Sequence, residues 1–330
     1  MSVKAGALRF NTDSLKMELF DGNQWVEIVA TSPEAQTGGA RGVFGGGTIQ
    51  PGSTVTDVIQ YVTISTTGNA IDFGDISTVR TQMSSCSSKT RGVFAGGTSV
   101  PVETNTIEYI TISSTGDALD FGDLTQIRRA FSTGCSSSTR GIFAGGLTNV
   151  PATTTFNIIE YITIASLGDS KDFGDLTASR YGTSGCSSST RGIFMGGANI
   201  IDFITISSLG NAADFGDTLA SSDDGGTCSN SIRGLYGLTT SSNNVIEFVT
   251  ISTLGNSQDF GDLTAIRSTG KATSSSTRGI FGGGASGSPY TSYNIIDYVQ
   301  ITTTGNAVDF GDMTTAVAQT TALSNGHGGL

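Results

Sequence analysis

The residue types able to do chemistry in this chain are few, and nearly all of them recur. Asp-Phe-Gly-Asp stands at residues 72, 120, 172, 214, 259 and 309, counted from its first Asp. An Asp-Phe-Gly triplet can hold a metal ion for phosphoryl transfer, and paired aspartates can do acid-base work. Arg followed by Gly at Arg41, Arg91, Arg140, Arg191, Arg233 and Arg278 could bind anions. Cys86, Cys135, Cys186 and Cys228 could hold zinc or form disulfides, and His327 is the one histidine. Recurrence argues against each of these. Every cysteine lies five residues before an Arg-Gly, or before the position where the next unit begins, and Thr273 and Leu323 take the same place elsewhere. Equivalent positions a whole unit apart exceed the ~7 Å that a disulfide spans between Cα atoms. Zinc asks for clustered pairs and usually His. The cysteines therefore read as small buried thiols, and the sequence predicts no catalytic residue, no metal site and no cofactor.

The repeated charges read as structural for the same reason. Arginines in every unit, beside loops that differ, predict links to carboxylates or carbonyls that tie neighbouring units together. Glu108, Glu160, Asp202, Glu247 and Asp297 belong to the same pattern, which Gln60 breaks.

The elements that carry these residues follow from one block present six times. An aromatic residue (Tyr61, Tyr109, Tyr161, Phe203, Phe248, Tyr298) is followed seven residues later by Gly and five after that by Phe-Gly-Asp. The Arg-Gly markers repeat with periods of 50, 49, 51, 42 and 45 residues, so one supersecondary unit is repeated. Segments such as Arg91 to Gly97 and Ile107 to Ile112 are rich in β-branched and aromatic residues and bounded by Gly, Ser, Thr and Asn, which predicts strands. Gly beside Asn or Asp predicts the tight hairpin between the third and fourth strands. The Ser-rich stretch before each Arg-Gly supplies one more strand. No segment carries the apolar spacing of a long helix.

Four strands per unit, a period near 50 and recurrent Gly-Gly (96 and 97, 145 and 146, 196 and 197) resemble the kelch type of β-propeller. The fifth unit departs with Gly237-Leu238, and Phe of Phe-Gly-Asp stands where kelch strands often carry Trp. The fold class expected is all-β: a six-bladed kelch-like β-propeller over residues 40–330, closed by the C-terminal strand, after an N-terminal β-hairpin module (1–29) and a linker (30–39). The stretch from Met313 to Leu330 ends where a seventh Arg-Gly would begin, so it is expected to complete the first blade and leave no open edge at the seam. An open solenoid is the alternative, and it would need capping units. Ser222-Asp-Asp-Gly-Gly-Thr-Cys228 faintly resembles the Asp-box turn of sialidase propellers, with its Thr displaced and its Trp missing.

The net charge of -11 argues against a nucleic-acid or anionic-membrane partner. No apolar run reaches the ~18 residues of a membrane span, and the first residues lack the apolar core of a secretory signal. Most length variation falls between the second and third strands, and variable loops on a rigid scaffold are usual carriers of recognition. Phe156, Tyr290 and Tyr293 in those loops, and Tyr181 in a linker on the same face as Arg80, Arg128 and Arg129, are the candidate recognition residues. Unselected drift of the loops is the competing reading.

The leader, Gly6-Ala-Leu-Arg-Phe-Asn-Thr through Glu18-Leu-Phe-Asp-Gly-Asn-Gln-Trp-Val-Glu-Ile28, alternates apolar and polar residues over three short strands. It resembles a hairpin element of tail, fibre and other virion structural proteins of tailed bacteriophages, particularly marine ones. The blocks Thr-Arg-Gly-Ile-Phe-Ala-Gly-Gly and Asp-Phe-Gly-Asp-Leu-Thr also resemble repeats of phage structural proteins. The resemblance implies a virion location after synthesis in the host cytoplasm. The expected function is a non-enzymatic tail, fibre or surface-decoration protein that displays its propeller to a host-surface glycan or receptor. Leu8, Phe10, Leu19, Phe20, Trp25, Val26 and Ile28 are the candidate docking residues toward other virion proteins, because so small a sheet is marginal alone. The oligomeric state stays open, with a homotrimer among the options. A propeller glycan hydrolase and an intracellular kelch-type interaction scaffold are the competing functions.

Overall fold

The computed structural model describes residues 4–11, 16–27, 39–99, 101–129, 134–239 and 243–330. Its elements are strands, consistent with a β-propeller-like fold. The expected linker, apart from Gly39, the turn at residues 12–14, and Ile28 lie outside the described residues.

Each block forms a four-stranded antiparallel sheet. In the second sheet the strands run Ser84–Ser87, Arg91–Ala95, Thr106–Thr111 and Leu119–Asp123, side by side in chain order. The third to sixth sheets repeat this order, with innermost strands Cys135–Ser136, Thr183–Ser187, Gly226–Ser229 and Lys271–Ser274. The first sheet takes its innermost strand from the C-terminal end: Thr321–Ser324 pairs with Arg41–Ile49, Leu323 opposite Val43. Asn325 Oδ1 accepts the Arg41 amide at 2.8 Å, where Ser88 Oγ accepts that of Arg91 within a continuous hairpin.

The sheets share no single core. Six apolar clusters each join one sheet to the next, and one of them, with Phe44, Val62, Ile280 and Phe310, joins the sixth sheet to the first. The sequence markers hold these junctions. Each Arg-Gly arginine stacks on the third-strand aromatic of its own sheet, as Arg41 does 4.4 Å from the Tyr61 ring centre, a contact worth roughly 0.5–1 kcal/mol when partly exposed. Its Nη1 then donates to a carbonyl of the next sheet: Arg41 to Ile112, Arg91 to Ile164, Arg140 to Ile206, Arg191 to Ile251, Arg233 to Ile301 and Arg278 to Ile64. Of the two links expected for these arginines, carbonyl and carboxylate, the carbonyl is the one formed.

The glycine after each arginine leaves room for the neighbouring innermost strand. A Cβ at Gly141 would lie 2.3 Å from Cys86 Sγ, and one at Gly192 would lie 2.5 Å from Cys135 Sγ. This contact explains why the cysteine position is repeated. All four thiols are free and buried, and burial pushes their pKa values up, to about 12 for Cys186. The Phe-Gly-Asp glycine sits in a β-bulge at positive φ, and a Cβ at Gly74 would meet the Gly116 carbonyl at 2.5 Å. There the Gly116 amide bonds Phe73 O and Asp117 Oδ1 accepts the Asp75 amide, while Gly68 and Asn69 do the same for Phe310 and Asp312.

Candidate functional site

In an antiparallel meander the second-to-third loops and the linkers between sheets leave at one end, and both hairpins lie at the other. The loop end is knitted by short bridges between these two kinds of segment: Thr48 with Ala318, Thr81 with Thr98, Arg129 with Leu147, and Ser268 with Ala285. Three loops form two-stranded hairpins, Thr98–Ser99 with Val102–Glu103, Leu147–Thr148 with Thr154–Thr155, and Ala285–Ser286 with Thr291–Ser292.

The candidate aromatics fall into two groups. Phe156 is half-buried and its carbonyl accepts the Arg180 amide, which places it beside the exposed Tyr181. Tyr290 and Tyr293 share the hairpin of the sixth sheet. The Tyr290 hydroxyl lies 3.1 Å from both Ser268 Oγ and Thr269 Oγ1, and Ser286 donates to the Tyr293 hydroxyl at 3.2 Å. Ser292 ties this hairpin to Gln50 and Thr48 in the first sheet's loop.

The linker arginines differ from their expected place on a recognition face. Arg80 and Arg128 are buried, paired with Glu108 and with Glu160 (2.5 Å). Arg180 with Asp202 and Arg267 with Asp297 repeat the pair at 2.9 Å. Each arginine also donates to a carbonyl at the first glycine of its Gly-Gly, as Arg128 does to Gly145 at 2.7 Å. A linker beside a loop face suggested exposure, but the side chain runs inward to a carboxylate two residues into the third strand. Arg129 alone stays partly open, and it bonds Glu103 at 2.7 Å and Gln82 at 2.7 Å. Glu103 also accepts from Thr148 Oγ1 (2.6 Å) and the Asn149 amide, so two neighbouring loops are clamped together. Burial raises the Glu103 pKa, but these hydrogen bonds outweigh it and the net shift is downward.

The two irregular sheets follow the same logic. In the first, Val317 and Gln60 replace the charged pair, and Gln60 accepts from Thr314. In the fifth, Ser222 stands where the arginine would be, and Leu238 takes the place of the first glycine, at φ 61° where Gly96 has 62°. Leu238 is buried in the apolar cluster that joins the fifth sheet to the sixth, with Leu263 and Phe281. Glu247 remains there, accepting from Ser257 Oγ (2.6 Å) and the Leu219 amide (2.9 Å), its pKa raised by burial. Nearby Lys271 Nζ donates to the Asp224 and Gly225 carbonyls, and burial lowers its pKa to about 8.

The axis is nearly closed. The innermost strands surround a cavity of about 40 Å³ lined by the serine and cysteine positions and His327, room for a few water molecules. Six serines form a closed cycle around it. Ser87 Oγ donates to Ser324 O, Ser324 to Ser274, Ser274 to Ser229, Ser229 to Ser187, Ser187 to Ser136, and Ser136 to Ser87. The sequence reading missed this ring, although its signal was present: serine stands four residues before each Arg-Gly from Arg91 to Arg278, and Ser324 supplies the sixth. Among the described residues, no group of three or more His, Cys, Asp or Glu could hold a metal.

The leader forms a three-stranded antiparallel sheet, Leu8–Asn11, Lys16–Phe20 and Trp25–Glu27. Its register, Leu8 opposite Leu19 and Leu19 opposite Val26, puts Leu8, Phe10, Met17, Leu19 and Val26 on one face. All five are exposed, Leu8 at 60%. Phe20 and Trp25 lie on the other face with ring centres 5.3 Å apart, and the Arg9 guanidinium sits 4.3 Å over Trp25 while bonding Glu18. The docking candidates therefore divide between two faces, and Ile28 is not among the described residues.

The fold and these sites define a class: an all-β, propeller-like protein whose repeated charges and thiols are spent on joining sheets. It is similar to the solved structure titled "Structure of YjhT", with a TM-score of 0.61 and 10% identity over 75% of this chain and 88% of that one. At that identity the likeness is one of fold. No family model matches the chain, and no curated protein matches it in sequence.

Proposed function

We propose that this chain is a non-enzymatic virion structural protein of a tailed phage, part of a tail, fibre or surface decoration, in which a six-bladed kelch-like propeller is displayed for host-surface or glycan contact. The observation that carries the proposal is the leader: five apolar side chains laid bare on one face of a three-stranded sheet. Exposed apolar patches of this kind mark interaction sites, and the leader's resemblance to virion hairpins makes another virion protein the partner. The six-bladed ring is supported by contacts that pass from each sheet to the next and return from Arg278 to Ile64 and from Gly68 to Phe310. Topology supports a division of labour. Arg41 starts its strand at the hairpin end, so the leader joins the body there, and the variable loops face the other way.

The test is incorporation. Leu8→Asp with Leu19→Asp should leave a folded body that no longer copurifies with particles, while changing Phe156, Tyr181, Tyr290 and Tyr293 to Ala should leave incorporation intact and weaken adsorption. Release of new reducing ends from a host polysaccharide by the purified protein would favour a glycan hydrolase instead.

A further inference from the structure

Beyond the closing strand, the tail crosses the axis and touches several sheets. His327 Nε2 lies 3.2 Å from Ser87 O and 3.2 Å from Ser136 Oγ, and its Nδ1 accepts the Gly329 amide at 3.1 Å. The Gly328 amide donates to Ser229 O at 2.9 Å. Asn325, at the start of this segment, holds the Arg41 amide. His327 and Gly328 thus tie innermost strands of the second, third and fifth sheets to the segment that follows the first sheet's innermost strand, beside the axial cavity that His327 lines. The fit is close: a Cβ at Gly329 would overlap Ser136 O, and one at Gly328 would overlap Asn230 O.

We propose that residues 325–330 are an acid-sensitive latch: they stay seated beside the axial cavity only while His327 is neutral, and they unseat when it is protonated. An Nδ1 that accepts the Gly329 amide carries no proton, so Nε2 carries it and donates to Ser87 O. A second proton on Nδ1 would oppose the Gly329 N–H and break the turn that seats the tail. The groups facing His327 do not compensate. Burial raises the pKa of the thiols of Cys86, Cys135, Cys186 and Cys228 on the strands around it, so they stay neutral in acid. The Arg91, Arg140, Arg191 and Arg233 side chains, which leave the hairpins at this end, stack on third-strand aromatics and donate to carbonyls of the next sheet, and as cations they offer His327 no counterion. Burial lowers the His327 pKa from 6.5 to about 4. A depressed folded value means that the latch contributes fully above about pH 6.5 and is lost as pH falls through about 4.

His327 is the one histidine in the chain, so its imidazole gives a single resonance in a proton NMR titration of the full chain. Hydrogen-exchange protection of the Gly328 and Gly329 amides is followed in the same samples. The expected result is a midpoint near 4, with protection at both glycines falling at least tenfold through it while Ser187 keeps its own. In His327→Gln, which cannot titrate, protection at the two glycines should not change over that range. A midpoint near 6.5, or unchanged protection through the wild-type titration, overturns the proposal whether or not the variant folds.

Discussion

Replacing Arg128 by Met removes one partner of an ion pair in which both side chains are fully buried. Glu160 would keep its hydrogen bond from the Thr125 amide (3.1 Å) but lose the guanidinium, and the Gly145 carbonyl would lose its 2.7 Å donor. Breaking a buried pair from one side costs about 3–5 kcal/mol, since the remaining charge has neither water nor counterion. At roughly 2.1 cal/mol/K of unfolding entropy per residue, a cooperative body spanning residues 40–330 should lose about 5–8 °C in Tm. Adding Glu160→Gln should return most of the loss, because the first sheet already uses Gln60 with Val317 at these two positions. The assay is thermal and denaturant unfolding of the wild type and the single and double variants. A single variant that loses less than about 1 kcal/mol, the range of an exposed pair, would refute the reasoning, as would a double variant no better than the single.

Gly141→Ala should destabilise by about 1–3 kcal/mol through overpacking on Cys86, and Cys86→Ala should relieve it, as a double-mutant cycle would measure. Ser187→Ala removes the 2.8 Å bond to Ser136 O and should cost about 0.5–1.5 kcal/mol in chemical denaturation. Deleting Ala318 to Leu330 strips the first sheet of its innermost strand, so calorimetry should show lost cooperativity or aggregation. The four thiols should resist a thiol reagent until the chain is unfolded, since all are buried and protonated.

The four-stranded unit was legible because its markers are spaced by strand geometry: a fixed run from aromatic to Gly to Phe-Gly-Asp leaves one hairpin register. The structural role of the recurrent Arg, Asp and Cys was legible from recurrence itself. What each one touches was not. Arg80 and Arg128 follow Phe-Gly-Asp by seven residues, in segments that read as exposed linkers, and only packing turns them inward onto Glu108 and Glu160. The exchange of Arg plus Glu for Val317 plus Gln60 joins residues from different units, which no spacing within one unit reveals. In the leader, alternation identified the strands, but separating the bare face of Leu8, Phe10, Leu19 and Val26 from the Phe20 and Trp25 face required the register across three strands.

Quantitative mass spectrometry of purified particles, assembled with either the wild-type chain or the Leu8→Asp, Leu19→Asp variant, tests the virion role most directly. The wild-type chain should be present at a fixed copy number per particle and the variant absent, with the soluble variant unfolding like the wild type. Equal incorporation of the two chains, or a wild-type chain missing from particles altogether, would contradict the assignment.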